Sequence, residues 1–156
     1  MTGPAEHPVV ALAGQALKAA MDGDEAAAAE AVEQIDRDHK PDGILVAVLA
    51  WCDTLVLRWP GAGLDGAPGP DAVVKPTWFD AEAGQIRRPE EVAAPALWAG
   101  RLLAARAVMD HDACKALFMA VPEDQAGEHV MAMLYIAAAN LRAILAGRHP
   151  NQVTQQ

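Results

Sequence analysis

Aromatic residues are scarce in this sequence: four Trp, two Phe and one Tyr, or 4% of 156 residues. That excludes a core filled mainly by large rings. The 53% hydrophobic content must come from elsewhere, and about one residue in five is Ala, well above ordinary usage. Cysteine is equally sparse. Cys52 and Cys114 stand far apart and each alone, which excludes a disulfide framework or a paired metal knuckle and suits a reducing, cytoplasmic compartment. Basic residues are few, 12 Lys and Arg against 21 Asp and Glu, for a formal charge of −9. They are also dispersed, so neither a nucleic acid nor an anionic membrane surface is expected as a partner. Long apolar runs are missing as well. The nearest, residues 44–59, is short for a span and is interrupted by Asp53 and Arg58. The first residues lack the basic and apolar regions of a secretion signal.

What is present is helical patterning. Ala is the strongest helix former and lets helix backbones approach closely. The sequence predicts an all-α bundle of about six helices in one domain, residues 1–156. A first helix covers residues 8–21, with Val9, Leu12, Ala13, Ala16, Leu17 and Ala20 as its apolar stripe and Pro8 in its first turn. Asp22-Gly23 ends it, and Asp24 is placed to cap a second helix over 25–38. A third runs from Gly43 to Trp59. Its stretch from Ile44 to Cys52 is apolar all round, which predicts a place in the middle of the bundle. After Pro89 a fourth helix, kinked or interrupted at Pro95, reaches Met109. A short helix follows over 113–120 with Asp112 as its cap, and a last one over 123–146 ends at Gly147. Residues 148–156 are expected to be a disordered tail.

Residues 60–89 differ in character. Pro60 to Pro70 is rich in Gly and Pro, and two β-prone runs follow, Val73 to Phe79 and Gln85 to Arg88, around a turn ending in Gly84. This predicts a small hairpin arm. Trp78, Phe79, Ile86, Arg87 and Arg88 are its candidate partner-binding residues, since aromatic and Arg side chains anchor interfaces. The two helical regions on either side, 8–59 and 90–147, resemble each other. Residues 18–24 (KAAMDGD) align with 106–112 (RAVMDHD), and with a one-residue gap Asp53 falls opposite Asn140. Two pseudo-repeated three-helix units joined by the arm would account for this.

No constellation of catalytic residues stands out. Residues 61–66 (GAGLDG) spell a dinucleotide-loop pattern, but Pro60 precedes it and Ala-Pro-Gly-Pro follows, so no helix N-terminus could meet a phosphate. His111-Asp112, with His39 and His129, carries metal-ligating types, but capping by Asp112 is the plainer explanation. Asp53 is the polar residue of most interest. It lies among Trp51, Cys52, Leu55, Val56 and Leu57, and a carboxylate buried there needs a partner, for which Arg101 and Arg106 are candidates. The sequence therefore predicts a non-enzymatic helical scaffold or adaptor, without cofactor or metal, acting through a protein partner and self-association. The competing expectation is a small-molecule or metal-binding bundle with a polar pocket around Asp53 and Asn140. A weaker one uses the acidic surface as a nucleic-acid mimic.

Overall fold

The computed structural model describes residues 7–58, 78–80 and 85–147. The described residues form six α-helices: α1 (Pro8–Met21), α2 (Glu25–Asp38), α3 (Gly43–Arg58), α4 (Ala94–Ala107), α5 (His111–Ala120) and α6 (Ala126–Leu145). None is long and apolar enough to cross a membrane. The expected bundle of about six helices is therefore present.

Local chemistry sets the helix ends. Pro8 occupies the first turn of α1, where its missing N–H removes no helical hydrogen bond. Asp24 Oδ1 accepts from Ala27 N at 3.0 Å and so caps α2. At the close of α1, Asp24 N donates to the Ala19 carbonyl and Gly23 N to the Ala20 carbonyl, with Gly23 at φ +78°. The corner after α4 repeats this geometry. Asp110 N donates to Ala105 O, Met109 N to Arg106 O, and Met109 adopts φ +57°. Both are Schellman turns, and only the first has the glycine that such a turn favours. The cap of α5 is accordingly Asp110, whose Oδ1 accepts from Ala113 N at 3.0 Å. Asp112 instead lies in the first turn of that helix, and α5 begins at His111, two residues before its predicted start. Two further boundaries also move. Pro89–Glu91 is a short 3-10 turn, after which Pro95 enters the first turn of α4 without kinking it. Glu123–Gln125 forms another before α6.

The core is the Ala-rich contact surface of α1, α2, α3, α4 and α6, with two large rings inserted. Trp51, almost fully buried, donates its indole N–H to the Ala13 carbonyl at 2.9 Å and ties α3 to α1. Trp98 donates to the Leu117 carbonyl at 2.8 Å and ties α4 to α5. Its ring meets Phe118 edge-on at 5.8 Å and His129 at 5.4 Å. Gly43 allows α3 to start close against the end of α2, because a Cβ there would lie 2.7 Å from His39 Cβ. α3 packs on α1, α2, α4 and α6, yet not all of its circumference is covered. Leu45 is 39% exposed and Leu57 75%.

The three-helix pseudo-repeat is not supported. The matching corners are two residues out of the register that aligns the sequences, since Asp24 corresponds to Asp110 and not to Asp112. Beyond the corners the halves diverge. α2 has 14 residues and packs on both α1 and α3, whereas α5 has 10 and packs chiefly on α4. Between the helical regions, residues 78–80 and 85–87 pair antiparallel, with Phe79 opposite Ile86. Trp59, the predicted end of the third helix, the remainder of the predicted arm, residues 60–77 and 81–84, and the predicted tail at 148–156 lie outside the described residues, and beyond this pairing the hairpin arm is not supported.

Candidate functional site

α3 and α5 each pack on α4 and on each other at most slightly. The separation leaves an open groove with a cavity of about 250 Å³. Leu45 and Leu49, one helical turn apart, form the α3 wall. His111, Cys114, Lys115, Phe118 and Met119 form the α5 wall, again at spacings of three and four. Arg106 reaches in from α4. Met119 at the lip is 76% exposed. Of the exposed large apolar residues among the described residues, Leu45 and Met119 are the pair that faces one common feature.

The polar centre beside the groove is an ion pair. Arg106 Nε donates to Asp53 Oδ1 at 2.6 Å, and Nη2 donates to Oδ2 at 2.9 Å. This planar two-point geometry is specific to Arg with a carboxylate. It confirms Arg106, and not Arg101, as the partner of Asp53. It also corrects the expected burial: the side chains of Arg106 and Asp53 are 19% and 44% exposed. The Asp53 hydrogen bonds hold the Arg106 guanidinium above its ordinary pKa. Arg101 is exposed on α4.

One thiol, Cys114, lines the groove, and a second, Cys52, lies behind it. Cys52 is fully buried, with its Sγ 3.9 Å from Met133 Sδ on α6. Burial, reinforced by the charge of Asp53, pushes its thiol up to about 12. Cys114 is also raised by burial, an effect that Arg106 partly offsets. Both therefore stay protonated near neutral pH.

The other predicted site residues are not gathered here. Asn140, half-buried on α6, donates to the Ile136 carbonyl one turn earlier at 2.8 Å. That bond uses an amide N–H locally, and neither Asn140 nor Asp53 lines the groove. Arg87 and Arg88 both turn to Glu91, at 3.9 and 3.2 Å. The side chains of Trp78, Phe79 and Ile86 lie outside the described residues. Among the described residues no three His, Cys, Asp or Glu side chains converge to hold a metal.

Sequence patterning missed two features. His129 is 5% exposed, with Nδ1 2.8 Å from the Gln125 carbonyl. Its position next to Val130 and one turn before Met133 on the apolar face of α6 was the available signal. The groove itself had only a faint one, the Leu45–Leu49 pair inside a run that is apolar all round. Comparison with protein-family models, curated proteins and solved structures finds no match to this chain.

Proposed function

We propose that this chain is a non-enzymatic helical scaffold or adaptor that works through protein–protein contact and self-associates. The observation that carries this reading is the groove between α3 and α5: two helical walls that present Leu45, Leu49, Phe118 and Met119 and leave Leu45 partly and Met119 largely in water. Apolar side chains grouped along a groove are the usual form of a docking surface, and isolated ones are not. Residues 60–89 are proposed as a second contact element, through which copies associate.

The test is the size of the tagged full chain in extract of its native host, compared with Leu45→Asp/Met119→Asp. Both positions are exposed enough for the variant to keep its helices, which circular dichroism checks. The reading expects the wild type in an assembly well above monomer mass, with the variant shifted to smaller size. Identical elution of the two would overturn it.

A further inference from the structure

The groove combines an apolar lining with one sign of charge. The whole chain carries a formal charge of −9, yet the charged side chains that line this feature are Arg106 and Lys115, and no carboxylate lines it. Arg106 is already held by Asp53. Lys115 has no ion-pair partner among the described residues. Asp110 and Asp112 lie near the start of α5 without lining the groove.

We infer that the groove receives an amphipathic helix of another protein, one whose apolar stripe is flanked by Asp or Glu. This deepens, and rests on, the proposal that the groove is a contact surface. Three observations select that occupant. Both walls are helices whose backbone groups are used internally, so an extended segment has no strand edge to pair with. Leu45 with Leu49, and Lys115 with Met119, form ridges of i, i+4 spacing, and the channel between two such ridges accepts the ridge of a third helix. Charge supplies the third: an acidic flank would meet Lys115, whereas a basic flank would oppose it. A second copy fits less well. Of the remaining exposed large apolar residues, Leu57 ends α3, Met109 lies in the corner after α4, and Tyr135 and Leu145 share α6 but not an i, i+3 or i, i+4 spacing, so no described helix offers a matching stripe.

Two synthetic 18-residue helical peptides test this with the full chain. They share one Leu and Met stripe at i, i+3, i+4 and i+7, and differ in flanking it with Glu or with Lys. The Glu peptide is expected to bind about tenfold more tightly or better, an advantage that shrinks as salt rises. Lys115→Glu, at an exposed position, is expected to abolish or reverse the preference. Equal binding of the two peptides, a preference that survives Lys115→Glu, or no binding of either would overturn the inference. So would sedimentation showing that purified chain dimerises through Met119 and excludes both peptides. If Leu45→Asp/Met119→Asp still dissolves the assembly in host extract while the peptides bind equally, the groove is a contact surface and only the acidic partner is wrong. If that variant leaves the assembly unchanged, the contact-surface proposal itself falls.

Discussion

Arg106 on α4 grips Asp53 on α3 through two parallel hydrogen bonds, and it does so at the edge of the bundle, beside the groove. The pair fixes α3 against α4 at the point where the α3 wall of the groove ends. Its energetic weight follows from its exposure. A fully buried pair broken on one side costs about 3–5 kcal/mol, and a surface pair typically under about 1 kcal/mol. With Asp53 nearly half-exposed, Asp53→Asn is expected to lower unfolding free energy by about 1–2 kcal/mol. Urea denaturation measures it. A loss near zero would mean that the pair is not maintained in solution.

Met109 occupies a left-handed position with 57% of its surface exposed. A side chain at such φ carries a steric cost that glycine avoids, and exposure leaves little packing to lose. Met109→Gly is expected to raise stability by about 0.5–1 kcal/mol, after the extra freedom of glycine in the unfolded chain is subtracted. Gly23→Ala, in the matching turn, should lower stability by a similar amount. Thermal melts of the two variants should move in opposite directions, and a fall for Met109→Gly would rule out the strained turn.

The thiols give a pH-dependent prediction. Cys52 in the folded chain is raised from an ordinary value of 9.0 to about 12. The fold thus favours the protonated form, and this contribution is fully present below pH 9. It is lost progressively as pH rises from about 9 to about 12, because the unfolded chain releases the proton first. Cys52→Ala should therefore show a shallower decline of stability over that range than the wild type. At pH 8 both thiols should react slowly with an aromatic disulfide reagent. Cys114 should react first, since it lines the groove and Cys52 is fully enclosed. Faster labelling of Cys52 would contradict the packing of α3 on α6.

Much of the fold was legible because its signals are local. α1 and α2 begin and end where Pro8, Gly23 and Asp24 place them. The start of α5 was misread because its corner uses Met109 where glycine is usual, which hid Asp110 as the cap. Arg106 was recognised as a possible partner of Asp53 because an inward carboxylate requires a cation. The half-exposure of the pair could not be read, since it depends on how far α3 and α5 stand apart. The groove follows from the same separation. Periodicity reports which residues of α3 are apolar, but it does not show which of them another helix will cover, and Leu45 is one left uncovered.

The claim that this groove is a contact surface is tested most directly by placing a photo-reactive amino acid at position 119 of the full chain in living host cells. Position 33 serves as the control, since Glu33 is exposed on the outer face of α2. Irradiation should give discrete covalent adducts to another polypeptide from position 119 and few from position 33. Adduct yields at 119 no greater than those at 33 would contradict the account.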